Sequence, residues 1–273
     1  MSLLRLHIRR DDDDPSAALV LVDGWVGERP YPFLLDTGAA TTTLKTDSYT
    51  VTFPTVGTRA SGGVFSRDEE ELVRAPPIRV GPLSSEALVV SRKASGVLFN
   101  LLGMDVLGAY RLEFRFAETS VLVDEPFPAV VAHPLVTSDA GHPFVPVHWG
   151  AREARAVWDA GASLTVGDAR FIANHPADFA PAGASMGTDS NGTESPTPVF
   201  TMVGATVGGV PLAPHRVAAV DLTGLNGSGP PVHLILGYNS IRQATWLFDF
   251  PAARWAVWTD SPSVGPVDLP RGD

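Results

Sequence analysis

Two short stretches of the sequence carry the same potentially catalytic pattern. Apolar residues, an aspartate, a small residue, a glycine and an alanine follow one another in "FLLDTGA" at 33–39 and in "AVWDAGA" at 156–162. Asp159 follows Asp36 by 123 positions. One Asp-small-Gly alone indicates only a turn, because Asp and Gly are common turn residues. Two carboxylates in close approach share a proton, so that one acts as base and the other as acid on a bound water.

The surrounding sequence repeats as well. "LLGMDVLGAYRLEFRFAETSVLV" at 101–123 aligns without a gap with "ILGYNSIRQATWLFDFPAARWAV" at 235–257, at an offset of 134 positions. The eleven extra residues of the second half are predicted to form a loop at 187–198, "GTDSNGTESPTP", which is rich in turn residues. One or two helical turns are expected after Gly103 and after Gly237. The alternative is two unrelated β domains with chance similarity.

The repeat predicts an all-β protein of two homologous, β-barrel-like lobes. The 26 glycines and 24 prolines favour many short strands and turns over long helices. We expect one lobe at 1–126, a proline-containing linker at 127–140 and a second lobe at 141–273. A pseudo-twofold arrangement of the lobes would bring the two aspartate loops face to face.

Composition excludes several classes of function. The 273-residue chain has no cysteine, which removes disulfides, thiolate nucleophiles and cysteine-ligated metals. Its net charge of −10 argues against a nucleic-acid partner. No apolar run is long enough to span a bilayer and no signal-peptide core is visible, so we expect no membrane partner. The compartment stays open, with the cytoplasm favoured.

Other motifs lack the context that their chemistry needs. "GASMG" at 183–187 matches the string of a nucleophile elbow, but no buried strand precedes it and no helix follows. The seven histidines show no metal-ligand spacing. "DDDD" at 11–14 is interpreted as a solvated hairpin turn, Asp139–Gly141 as a plain turn, and the terminal "RGD" as a disordered tail.

The paired motifs resemble those of clan AA aspartic peptidases, the superfamily of pepsins and retropepsins. The residues that carry the resemblance are "DTGA" at 36–39, "DAGA" at 159–162, "LLG" ending at Gly103 and "ILG" ending at Gly237. It covers nearly the whole chain and implies two retropepsin-like lobes fused as in pepsin. It further implies an endopeptidase that holds its lytic water between Asp36 and Asp159, without cofactor or metal. The expected partner is a peptide or protein substrate, cleaved by a monomer.

The resemblance also assigns the remaining site residues. The active-site loops would comprise Thr37, Gly38, Ala39, Ala160, Gly161 and Ala162. A flap over the substrate would have its tip at Ser61, Gly62, Gly63, Val64 and Phe65, the alternative being an ordinary hairpin turn. The corresponding stretch of the second half, 185–193, is expected to be a plain mobile loop.

The chain departs from the family pattern at three alanines. Ala160 stands where a Thr or Ser hydroxyl usually bonds across to the other loop, and Ala39 and Ala162 stand where pepsins often have a hydroxyl donor to the carboxylate. The first departure leaves open a non-catalytic peptide-binding protein of the same fold. A self-processing enzyme with one native target is a third possibility. The other two departures predict a dyad that ionises at higher pH than that of a gastric enzyme.

Overall fold

The computed structural model describes residues 2–62, 67–93, 99–188, 192–225 and 230–259, and these are mostly β, as predicted. Strands of the first half are β1 (Ser2–Arg5), β2 (His7–Arg10), β3 (Ala18–Val26), β4 (Arg29–Leu35), β5 (Thr43–Lys45), β6 (Thr55–Gly62), β7 (Arg67–Arg74), β8 (Ile78–Val80), β9 (Leu83–Ser85), β10 (Val89–Lys93), β11 (Asn100–Leu102), β12 (Arg111–Arg115) and β13 (Ser120–Val123). Strands of the second half are β14 (His133–Pro134), β15 (Val136–Thr137), β16 (Pro143–Trp149), β17 (Arg152–Trp158), β18 (Thr165–Asp168), β19 (Phe179–Thr188), β20 (Glu194–Met202), β21 (Thr206–Val207), β22 (Val210–Pro211), β23 (His215–Val220), β24 (Leu234–Leu236), β25 (Thr245–Asp249) and β26 (Arg254–Trp258).

Helices are few and short. They are α1 (Met104–Leu107), α2 (Ala169–Asn174) and α3 (Tyr238–Ile241), with 3-10 turns at Thr50–Thr52 and Thr223–Leu225. The helical turns predicted after Gly103 and Gly237 are therefore present as α1 and α3. No helix of the described ranges has both the length and the apolar character needed to cross a bilayer.

Two ten-stranded sheets have the same strand order. The first runs β6-β7-β10-β5-β11-β4-β3-β8-β9 with β2 beside β3, and the second runs β19-β20-β23-β18-β24-β17-β16-β21-β22 with β15 beside β16. Registers repeat too, since Leu34 pairs with Leu101 in parallel strands and Val157 pairs with Ile235. These pairs obey the offsets of 123 and 134 positions seen in the sequence. The sequence repeat therefore corresponds to a repeat of strand order.

A third sheet of six strands joins the two halves in the order β1-β13-β12-β25-β26-β14. Its central pair is β12 with β25, where Phe114 lies opposite Trp246. Both side chains are fully buried and contact Trp158, whose ring centroid lies 4.6 Å from that of Phe114. Burying each such side chain contributes roughly 1.5–3 kcal/mol. Because Trp158 directly precedes Asp159, this aromatic core supports the strand end that carries the carboxylate.

The segment predicted as a linker, 127–140, contributes two short strands. β14 pairs with β26, and β15 pairs with β16 so that Val136 lies opposite Phe144. The turn at Ser138–His142 follows, closed by a hydrogen bond of 2.9 Å from the Gly141 N–H to the Ser138 carbonyl. The prediction of a turn at Asp139–Gly141 is confirmed.

The prediction of a loop at 187–198 is largely wrong. β19 and β20 form an antiparallel hairpin in which Ser185 pairs with Thr197 and Gly187 pairs with Ser195. The prediction of a plain loop at 185–193 fails in the same way, although 189–191 lie outside the described residues. Most side chains of β19 are exposed, so neither face of this strand shows the apolar alternation that identifies a half-buried strand. Backbone pairing, which leaves no trace in composition, forms the hairpin.

Two other minor predictions are confirmed. The stretch 11–17 is a hairpin turn between β2 and β3, in which Asp11 Oδ1 accepts from the N–H groups of Asp13 and Asp14. It is not wholly solvated, since Asp14 pairs with Arg216 at 2.8 Å. Ser185 lies on the exposed β19, so "GASMG" is not a nucleophile elbow.

Candidate active site

Each predicted catalytic aspartate directly follows a strand whose last three residues are buried. Asp36 follows β4 and Asp159 follows β17, each strand ending in buried apolar side chains. The Asp36 N–H donates to the Leu102 carbonyl at 3.1 Å, and the Asp159 N–H donates to the Leu236 carbonyl at 3.0 Å. The parallel pairs β4–β11 and β17–β24 thus hold the two aspartates in matching positions.

The structure brings the two carboxyl groups together. One backbone N–H reaches the side chains of both Asp36 and Asp159. The Gly38 N–H donates to Asp36 Oδ1 at 2.9 Å and also to Asp159 Oδ1 at 3.2 Å, while the Gly161 N–H donates to Asp159 Oδ1 at 2.8 Å. Two carboxylates this close cannot both ionise cheaply, so the arrangement favours one shared proton.

Glycine is required in both loops because space is lacking. A Cβ atom at Gly38 would lie 2.7 Å from Cγ of Asp159, and one at Gly161 would lie 2.5 Å from Cγ of Asp36. Both distances are far below van der Waals contact. Each glycine therefore lets its own loop approach the carboxyl group of the other.

A hydroxyl bridge crosses between the loops on one side only. Thr37 Oγ1 donates to the Trp158 carbonyl at 2.8 Å and accepts from the Ala160 N–H at 3.1 Å. Thr37 is fully buried and Ala160 is 1% exposed. Because alanine has no hydroxyl, Ala160 cannot return the interaction, as the sequence indicated.

The glycines of the two apolar-apolar-Gly motifs pack directly against the loops. The N–H groups of Met104 and Tyr238 donate to the carbonyls of Ala39 and Ala162, each at 2.8 Å. A Cβ atom at Gly103 would lie 2.9 Å from the Ala39 carbonyl oxygen, and one at Gly237 would lie 2.8 Å from that of Ala162. α1 and α3 are thereby anchored to the two aspartate loops in the same way.

Four supporting residues were missed by the sequence analysis. Thr42 donates through its N–H and Oγ1 to Asp105 Oδ1 at 2.9 and 2.7 Å. Thr165 does the same to Asn239 Oδ1 at 2.8 and 2.7 Å. The pairs are equivalent, since Thr165 follows Thr42 by 123 positions and Asn239 follows Asp105 by 134. Searching the aligned segments for matched polar residues would have found them.

The first hairpin, β6–β7, is connected to the Asp36 loop by an ion cluster. Arg59 of β6 donates to Thr41 Oγ1 at 2.5 Å and pairs with Glu70 of β7 at 3.3 Å. Lys93 pairs with the other oxygen of Glu70 at 2.7 Å, and both side chains are buried. The hairpin base therefore cannot move without disturbing contacts to the segment that follows Asp36.

Only part of the predicted flap tip can be placed. Ser61 and Gly62 end β6, where their backbones pair with those of Asp68 and Arg67. Gly63, Val64 and Phe65 lie outside the described residues. The prediction of a hairpin at this point is confirmed, and its role as a flap stays a prediction.

Burial governs the acidity of the two carboxyl groups. It raises the pKa of Asp36 well above the ordinary value, and the charge of Asp159 raises it further. Burial also raises the pKa of Asp159, opposed by the N–H groups of Gly161 and Gly38 that favour the ionised form. Both carboxyl groups therefore resist ionisation, which favours one proton shared between them.

Comparison with protein-family models gives no match for this chain, and a search of curated proteins gives no significant one. Within the described ranges, no three His, Asp or Glu side chains are grouped as ligands for a metal ion. Function has to be inferred from the site itself.

Proposed function

We propose that the protein is an aspartic endopeptidase, built from two retropepsin-like lobes related by pseudo-twofold symmetry. The observation that carries the proposal is the meeting of two carboxyl groups from equivalent loops. One N–H, that of Gly38, donates to both Asp36 and Asp159. Two coupled carboxyl groups with raised pKa values form an acid–base pair that suits water activation.

The proposed reaction uses one water molecule held by the pair. One carboxylate of the pair, ionised, takes a proton from the water as the water oxygen attacks the scissile carbonyl carbon. The other carboxyl, protonated, donates a hydrogen bond to the carbonyl oxygen. The tetrahedral intermediate collapses as the proton taken from the water passes to the leaving nitrogen and the C–N bond breaks. The products are a new carboxyl group and a new amine, without a covalent enzyme intermediate.

The proposed substrate is an extended segment of a peptide or protein. The hairpins β6–β7 and β19–β20 occupy equivalent sheet positions and offer backbone groups to a bound strand, as in recognition by strand addition. Because both aspartates belong to one chain, the active form is a monomer. A cytoplasmic location remains part of the proposal.

Incubation with a mixed peptide library tests this function. Wild-type protein should cleave internal peptide bonds, and both the Asp36→Asn and the Asp159→Asn variants should lose at least a hundredfold in rate. Asp139→Asn is a matched control, because Asp139 lies in an Asp-Ala-Gly turn at an exposed position. Activity that survives both active-site substitutions would contradict the proposal.

A non-catalytic peptide-binding protein is the second candidate, and Ala160 favours it. Because Thr37 supplies a hydroxyl bridge and Ala160 cannot supply the equivalent one, the pair has this brace on one side. Peptide binding without cleavage at any pH from acid to mildly alkaline would support this candidate and exclude the peptidase.

A further inference from the structure

Strand register places a histidine opposite one of the two aspartates. β16 and β17 pair antiparallel with Phe144 opposite Val157, and this register, continued by two residues, sets His142 opposite Asp159. His142 lies two residues before Phe144, so in extended backbone the two side chains share a face, while Val145, the residue after Phe144, packs into the main core on the opposite face. Directly opposite residues have Cβ atoms roughly 4.5–5.5 Å apart.

Both backbone polar groups of His142 are held by Ser138. The Ser138 N–H donates to the His142 carbonyl at 3.0 Å, and the His142 N–H donates to Ser138 Oγ at 3.1 Å. Gly141 has a positive φ of 84°, which closes the tight turn that a Cβ would strain. The half-buried imidazole is therefore presented from a fixed backbone position.

The first half of the chain has no counterpart to this histidine. There β3 and β4 pair with Leu21 opposite Leu34, and the same extension sets Leu19 opposite Asp36. Leu19 precedes His142 by 123 positions, the offset of the two aspartates. The repeat thus places a titratable side chain beside one aspartate and an apolar side chain beside the other.

Asp159 is the charged group that acts on His142. The exposed Asp139 belongs to the same turn as His142, and the uncharged Ser138 hydroxyl accepts from the His142 N–H. Burial lowers the pKa of His142, and the neighbouring Asp159 opposes that shift. In return, a protonated His142 lowers the pKa of Asp159. The two groups therefore favour each other's charged form.

We propose that His142 is a positioning residue that keeps the shared proton of the pair on Asp36 and Asp159 ionised. The assignment of Asp159 as base toward water rests on the proposed function. The placement of the proton is a property of the folded protein and can be tested without a substrate.

The direct test is a titration of the His142 imidazole by NMR in three proteins. Replacement of Asp159 by Asn removes the carboxylate that supports the imidazolium, so the pKa of His142 should fall by about half a unit or more. Asp36→Asn leaves Asp159 ionised, so the pKa of His142 should not fall. Equal pKa values in all three proteins, or a fall only with Asp36→Asn, would overturn the proposal.

A pH profile of kcat/KM separates positioning from a merely structural role. His142→Gln and His142→Leu, the latter copying Leu19, should each move the acid limb to higher pH by about half a unit or more. The control His148→Gln, on β16, the strand that follows His142, should leave the limb in place. A uniform loss of rate with an unmoved limb would overturn the proposal. Absence of any cleavage would count against the peptidase alone, since the imidazole titration still decides the placement of the proton.

Discussion

The hydroxyl bridge of Thr37 should be a main source of stability at the junction of the two halves. Thr37→Val keeps the shape of the side chain and removes its hydroxyl. The Trp158 carbonyl and the Ala160 N–H then lose the partners they hold at 2.8 and 3.1 Å. Both residues are at most 1% exposed, so water cannot replace the hydroxyl. An unsatisfied buried polar group costs about 1–3 kcal/mol, so two such groups together should cost about 2–6 kcal/mol.

Urea unfolding followed by tryptophan fluorescence measures this loss. With a denaturant slope of about 1–3 kcal/mol per molar, the midpoint of Thr37→Val should fall by about 1 M or more. Thr37→Ser keeps the hydroxyl and should recover most of the stability. Thr58→Val makes the same change at an exposed position of β6, where the effect should stay within about 0.5 kcal/mol. A loss below about 0.5 kcal/mol for Thr37→Val would refute the reasoning.

The remaining predictions concern the carboxyl pair and its loops. Gly161→Ala should abolish cleavage, because its Cβ would lie 2.5 Å from Cγ of Asp36, and measurable kcat would contradict this. Since the pKa of Asp36 is raised by folding, stability from its protonated form is complete below the unfolded value of about 3.9 and is lost as pH rises through the folded value. Asp36→Asn should therefore lose less unfolding free energy than wild type as the pH rises above about 4. The same pH dependence of stability in both proteins would contradict a raised pKa of Asp36. The optimum of kcat/KM should lie at roughly pH 5–6.5. Ala39→Ser combined with Ala162→Thr should move this optimum to lower pH, because the new hydroxyls donate hydrogen bonds to the carboxylates. A move of the optimum to higher pH would show that another feature sets the acidity of the pair. Specific activity should stay constant on dilution, and a fall that tracks dimer dissociation would contradict an active monomer.

The repeated strand order could be anticipated from sequence because each half buries the same apolar strands. Few residue types are tolerated at the repeated positions. The strand ends before Asp36 and Asp159 need apolar side chains because they are buried, and positions 103 and 237 need glycine. Gly103 and Gly237 are fixed by backbone approach, where any Cβ would clash. A single sequence shows such a steric requirement when the same glycine recurs at equivalent positions of both halves.

Other features depend on pairings that the sequence does not display. The stretches around Phe114 and Phe248 were aligned as repeats, but nothing in them showed that β12 pairs with β25. His142 lies in the "SDAGH" turn, whose composition indicates a turn and nothing more. Its place beside Asp159 follows only from the registers of β15, β16 and β17. β19 is mostly exposed, so its small and polar composition is typical of a loop although its backbone pairs with β20.

The most direct test of the central claim is a titration of the Asp36 and Asp159 carboxyl carbons by NMR, assigned with the two Asn variants. The pair should ionise in two coupled steps, with the second proton lost well above the ordinary pKa of about 3.9, so that one proton remains shared near pH 5. Two independent carboxyl groups, both fully ionised by about pH 5, would contradict a shared proton and the chemistry proposed from it.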